Sequence, residues 1–151
     1  MSKSKTSTND IIDTLGDWFA KFPELPKNAR EVLVKIAPII SLVFGVLGVI
    51  VAISGLGLLT ATSPFAVMGG VQATSAYGTG FVAVLIYLVS SVLLLAAFPG
   101  LKAKKMHGWN LLFWSEAVNL LGGLVSLSIL SAVIGAVIGL YLLFQIKSYY
   151  K

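Results

Sequence analysis

The chain has 151 residues, of which 57% are hydrophobic and 11% charged, with a mean hydropathy of +0.92 and a formal net charge of +5. This balance excludes a soluble monomer, whose charged fraction runs near one quarter, and matches segments that live in hydrocarbon. Residues 36–101 carry no charge, and between Lys35 and Lys147 only Lys102, Lys104, Lys105 and Glu116 are formally charged. Cysteine is absent, which removes disulfides and thiolate metal sites. The basic residues flank apolar runs and form no basic domain of their own, so anionic lipid headgroups, not nucleic acid, are their expected partners.

Residues 1–8 (MSKSKTST) are small, polar and basic, and read as a flexible tail. Residues 1–31 hold five of the six acids and no apolar run, so no cleavable secretory signal is expected. From Asn9 the apolar residues Ile11, Ile12, Leu15, Trp18, Phe19 and Phe22 recur at helical spacing opposite Asp10, Asp13, Asp17 and Lys21. That pattern predicts a short amphipathic helix, capped by Asn9 or Asp10 and stopped by Pro23, lying in the membrane interface. The Pro23–Pro26 corner and a charged lead-in complete a unit over residues 9–35.

The first apolar run, 36–61, would reach about 39 Å as a helix, enough to cross a hydrocarbon core of about 30 Å. Residues 62–80 are rich in Gly, Ser and Thr and read as a loop on the far surface, with room for a short interfacial helix. A second span covers 81–98, and Pro99-Gly100 is expected to end it. Residues 109–146 are nearly uncharged and too long for one crossing, so they must fold back. A turn near the serine-rich 126–130 gives spans of 109–125 and 130–147, leaving 148–151 as a tail.

Four spans place all eleven Lys and Arg on one side, which the positive-inside rule makes cytoplasmic, with both termini inside. The architecture expected is therefore an all-α, four-helix transmembrane bundle over 36–147 with an N-terminal amphipathic interfacial helix. Trp18, Phe22, Trp109, Tyr149 and Tyr150 then fall at the cytoplasmic interface, where amphipathic rings prefer to lie.

Glu116 is the one acid inside the spans, and an intramembrane carboxylate is a functional candidate by default. On a helical wheel Ser115, Glu116, Asn119, Gly122, Gly123 and Ser126 share an arc opposite Phe113, Ala117, Leu120, Leu121 and Leu124, so Glu116 should face protein. Counting inward from the span ends puts Ser41, Ser90, Ser91 and Gln145 at similar depth, which predicts one intramembrane polar layer with Glu116 and Asn119. Such a layer serves either a proton or solute pathway or helix locking, with Glu116 paired to Asn119, Gln145, Lys35 or Lys147; locking is favoured because transport generally needs more than one charge.

Small residues suggest two packing seams: Ser41, Gly45, Gly48, Ala52 and Gly55 in the first span, and Ser131, Gly135 and Gly139 in the fourth. Both are expected to pack the chain on itself. Lys102, Lys104 and Lys105 are positioned for lipid headgroups, and the neighbouring lone His107 offers no metal site. No nucleophile, base and acid come together, so neither an enzyme nor a cofactor is expected.

The segments FPGLKAKKMHGWNLLFWSE and IGAVIGLYLLFQIKSYYK, with the layout of the whole chain, resemble small bacterial four-span integral membrane proteins that carry no assigned activity. The resemblance implies a fold and a place in the bacterial inner membrane, and transfers no catalytic residue. The expected function is a structural or accessory role, in association with the same chain or a larger membrane complex; the other class is a small transporter or channel subunit built around Glu116.

Overall fold

A computed structural model describes residues 8–151, with side chains from Asn9 onward. It contains five α-helices and, among the described residues, no strand: α1 (Thr8–Phe19), α2 (Lys27–Met68), α3 (Gly70–Lys102), α4 (Met106–Val125) and α5 (Ile129–Ile146), followed by one 3₁₀ turn at Lys147–Tyr149. Apart from Thr8, which opens α1, the expected polar tail lies outside the described residues. Three segments, Lys27–Met68, Gly70–Lys102 and Ile129–Tyr149, are long and apolar enough to cross a membrane. Helix α4 is long enough at 20 residues but carries His107, Asn110, Glu116 and Asn119.

The helices stack in chain order, each against the next. On α2 the buried positions Val34, Ser41, Gly45, Gly48 and Ala52 repeat at three, four or seven residues, one narrow stripe applied to α3. Helix α4 lies between α3 and α5, and α5 returns to α2 through a looser seam. At the end that carries every described Lys and Arg, the four helices meet in a core of Val34, Ala97, Leu101, Trp109, Phe113, Leu143 and Ile146. Trp109 is its largest member; fully buried, it donates Nε1–H to the Leu143 carbonyl at 2.8 Å. Because a buried indole N–H without an acceptor is costly, this bond sets the register of α4 against α5.

Helix α1 folds onto that same end. Ile12 and Phe19 are buried, Phe19 stacks on Phe144 at 5.4 Å, and Asp10, Asp13 and Asp17 stay exposed. The helix begins one residue before the expected cap, so Asn9 and Asp10 sit in its first turn. The Pro23–Pro26 corner is held by Tyr141, whose hydroxyl donates to the Pro23 carbonyl at 2.6 Å.

The segment 62–80 is not a loop. Helix α2 continues to Met68 and α3 starts at Gly70, the reversal resting on Gly69 and on Gly70 at φ +79°, a conformation glycine adopts without steric cost. The hydroxyls that mark this stretch as a loop in water are satisfied within the helices: Thr60 and Thr62 donate to the carbonyls of Leu56 and Leu58, Thr79 to that of Ser75. Pro64 deprives the Thr60 carbonyl of its helical donor, and the Ser63 hydroxyl replaces it at 2.9 Å.

Pro99-Gly100 likewise does not end α3, which runs on to Lys102. The α3–α4 and α4–α5 turns use one device. Lys105 N–H donates to the Gly100 carbonyl and Lys104 N–H to that of Leu101; Ser128 N–H donates to Gly123 and Leu127 N–H to Leu124. Each is a Schellman closure, with Lys104 (φ 53°) and Leu127 (φ 58°) in the left-handed position usually given to glycine. The expected tail 148–151 is tied in as well: Lys151 N–H donates to the Lys104 carbonyl at 3.0 Å, and Met106 N–H to the Lys151 carbonyl at 2.8 Å.

Candidate functional site

The polar groups expected to share one layer come together in part. Ser90, Ser91, Ser115 and Glu116 share a height because Ser90 touches Ser115, while Ser41 contacts Leu94, about a turn away, and Gln145 lies further along α5. Between α3 and α4, the Ser90 and Ser115 hydroxyls lie 3.0 Å apart and each donates to the other's carbonyl region at 3.1 Å, both side chains being fully buried. Between α2 and α3, the Ser41 hydroxyl donates to the Leu94 carbonyl. Ser91 returns its hydroxyl to the Tyr87 carbonyl of its own helix at 2.8 Å and lies against Gly48, where a Cβ would approach its Oγ to 2.2 Å. Each hydroxyl is thus satisfied locally, the arrangement that apolar surroundings favour.

Glu116 faces α5. The carboxylate lies over Gly139, and a Cβ there would come within 2.6 Å of Oε1, so the missing side chain makes the space that the carboxylate fills. Among the described residues no hydrogen bond or ion pair joins it to Asn119, Gln145, Lys35 or Lys147. Lys147 instead pairs with Asp13 at 3.4 Å and lies 5.4 Å from the Trp109 ring centroid, while Lys35 is exposed. Asn119 is half-buried one turn further along α4.

Gln145 stands apart from the others. Its Oε1 accepts from the Leu25 N–H at 3.1 Å, joining α5 to the proline corner. The reason is the register fixed by Trp109: Leu143 is level with Trp109, so Gly139 meets Glu116 and Gln145 lies about 9 Å further along α5, at 1.5 Å per residue. Counting depth from the ends of apolar runs misses this offset, because the runs end at different heights.

The two seams also part company. Gly45 and Gly48 face α3, where added Cβ atoms would meet Leu95 at 2.8 Å and Ser91 at 2.2 Å. On α5, Gly135 opens onto empty space and Ser131 is exposed, its hydroxyl turned back to the Ser128 carbonyl. The contact stripe is Ala132, Ala136, Gly139, Leu143 and Ile146, offset by one residue, or about 100°, from the expected Ser131-Gly135 positions. Only Gly139 belongs to both. Lys102, Lys104 and Lys105 are exposed on the α3–α4 turn.

The closest backbone approach was not singled out by spacing at all. Gly100 and Gly108 touch across that turn: a Cβ on Gly108 would lie 2.4 Å from the Gly100 carbonyl carbon. A glycine on each side of a basic turn, eight positions apart, is the signal that points to it. Chemically, the helix stack offers, among the described residues, one carboxylate without a partner base, near serine hydroxyls that are already bonded.

No protein-family model, curated protein or solved structure matches the chain.

Proposed function

We propose that the chain is a non-enzymatic accessory subunit of a bacterial inner membrane, crossing it four times with both termini cytoplasmic, and that it works by association with further copies or a larger membrane complex. The overreach of the α2–α3 hairpin carries this reading. Helices α4 and α5 turn back at Ser126, which shares a surface depression with Gly55 and Ala83. Residues 56–68 and 70–82 therefore extend about 20 Å beyond the other pair. The uncharged part of α2 from Ile36 to Met68 measures about 50 Å against a hydrocarbon core of about 30 Å, so the tip emerges on the far side.

That tip carries Phe65, Val67, Met68 and Val71, each more than 70% exposed. Clustered apolar side chains beyond the bilayer are a protein-facing surface. Helix α4 serves as the fourth crossing because it packs between α3 and α5, turns Glu116 toward Gly139 of α5, and presents Trp114, Leu121 and Leu124 outward. All described cations lie at one end of the stack, which supports the cytoplasmic assignment of that end and of the interfacial helix α1. The locally satisfied serines argue for this reading over a transport path through Glu116.

A cysteine-free chain makes the test direct. Val71→Cys should react slowly with a membrane-impermeant maleimide in native membranes and rapidly once the complex is dissociated by detergent, and the same cysteine should crosslink into a species above monomer mass. Full reactivity in native membranes, together with a monomeric mass in nanodiscs, would overturn the proposal.

A further inference from the structure

Where α1, the proline corner and the end of α5 converge, a cleft of about 340 Å³ opens, at the small end of the range of ligand sites. Two cations line it, Arg30 and Lys147, against one carboxylate, Glu24. The lining alone carries one excess positive charge, which Asp13 offsets by pairing with Lys147 from outside the lining. The ion-pair partners of these cations are exposed: Arg30 pairs with Glu24 at 3.2 Å, and Lys147, which also lies over the Trp109 ring, pairs with Asp13 at 3.4 Å, both carboxylates being more than 70% exposed. Arg30 keeps one further donor, Nε, buried and without a partner. A buried guanidinium N–H is costly to leave unmade, and an anionic oxygen is the acceptor that suits it best.

Two more donors line the same cleft, the Ser148 hydroxyl and the Gln145 amide, whose contact with the Pro23 carbonyl is long at 3.4 Å. A second, apolar notch of about 180 Å³ adjoins it, lined by Val137, Ile138 and Tyr141 and sharing the rings of Phe19 and Phe22. Because α5 runs from Val137 toward Ser148, the apolar notch lies on the hydrocarbon side of the charged cleft. The two cavities share the Phe19 and Phe22 rings as a common wall, with charged groups lining one and apolar groups the other.

We propose that this site binds the phosphate of an anionic phospholipid, with Arg30 and Lys147 on the phosphate oxygens and the first part of an acyl chain against Phe19, Phe22 and Ile138. The ligand chemistry is a phosphate ester. The adjoining apolar notch selects a lipid over a free phosphate. The inference stands on the cleft and is independent of whether the α2–α3 tip docks a partner. It also gives α1 a task, since Gly16, Phe19 and Ala20 of that helix form one wall of the cleft.

The test is native mass spectrometry of the full chain in mild detergent, with phosphatidylglycerol, phosphatidylcholine or inorganic phosphate added in turn. The parent should retain one phosphatidylglycerol with about a tenfold preference over phosphatidylcholine, in keeping with two basic side chains at a headgroup. Combined Arg30→Gln and Lys147→Gln should abolish that preference, and Arg30→Lys should keep part of it by retaining charge without the fork. Equal retention of the two lipids by the parent overturns the proposal and requires no variant to fold. So does an unchanged preference in a double variant with parental helicity. Stabilisation by inorganic phosphate equal to that by phosphatidylglycerol would keep the phosphate site and overturn the lipid.

Discussion

Gly100 and Gly108 bring the backbones of α3 and α4 into direct contact, with a Cβ built on Gly100 only 2.7 Å from the Gly108 Cα. Neither backbone can move aside independently, because the intervening turn is closed by the Schellman bonds at Gly100 and Leu101 and clasped by Lys151. Gly108→Ala should therefore destabilise the fold by about 1–3 kcal/mol, the range for overpacking a closed contact. Thermal unfolding in detergent, read by circular dichroism, checks this. Gly135→Ala, which meets open space, should leave the midpoint within error.

Leu127 bears a left-handed conformation at φ 58° while its side chain is 81% exposed, so its strain is offset by no packing. Leu127→Gly should relieve about 1 kcal/mol of that strain and raise the unfolding midpoint. Leu127→Val should lower it, since branching at Cβ makes the left-handed region costlier. Identical midpoints for the three chains would mean that the turn is already frayed at the temperature of unfolding.

Burial pushes the Tyr150 phenol above its usual range near 10, and its hydroxyl is buried without a partner. The sign follows from linkage: the folded chain holds this proton more tightly than the unfolded one. The resulting stability is present below the ordinary tyrosine pKa and is lost as pH rises through the raised value. Tyr150→Phe removes both the titration and the unpaired hydroxyl. At neutral pH it should match or exceed the parent's stability, and between about pH 9.5 and 11.5 its unfolding midpoint should fall less than the parent's. Paired melts across that window measure the difference directly.

The all-helical fold and the apolar segments were legible because composition and periodicity are local properties. The α2 stripe of Ser41, Gly45 and Gly48 was also readable, since small residues at three and four spacing leave one face on which a neighbour can approach closely. Segment 62–80 was misread for a physical reason. In water, Ser, Thr and Gly compete with helix; here the hydroxyls donate into their own helices, so the same composition continues α2 and α3. Pro99 was misread similarly, because the breaking power of proline depends on tertiary support, and the Gly100–Gly108 contact supplies it. Gln145 falls outside the expected layer because register between helices is a tertiary quantity. One indole bond, Trp109 to the Leu143 carbonyl, separates Gln145 from Glu116, and no pattern within either helix encodes it.

Glu116 and Gly139 form the contact on which the two classes of function diverge. If the carboxylate acts by filling the space above glycine, Gly139→Ala must displace it, since the new Cβ would lie 2.6 Å from Oε1. That substitution should cost about 1–2 kcal/mol, less than Gly108→Ala, because the obstructing atom ends a flexible side chain. Glu116→Ala should rescue it, so the double variant is more stable than the two separate losses predict. Glu116→Gln keeps the shape and removes the titratable proton; under the packing role it should fold, assemble and melt like the parent. A proton-coupled carrier makes the opposite demand: pH-dependent flux in proteoliposomes, present in the parent and absent from a well-folded Glu116→Gln. Parental assembly of Glu116→Gln and a positive coupling energy with Gly139→Ala, without such flux, are the outcomes expected of a carboxylate that holds α4 and α5 together.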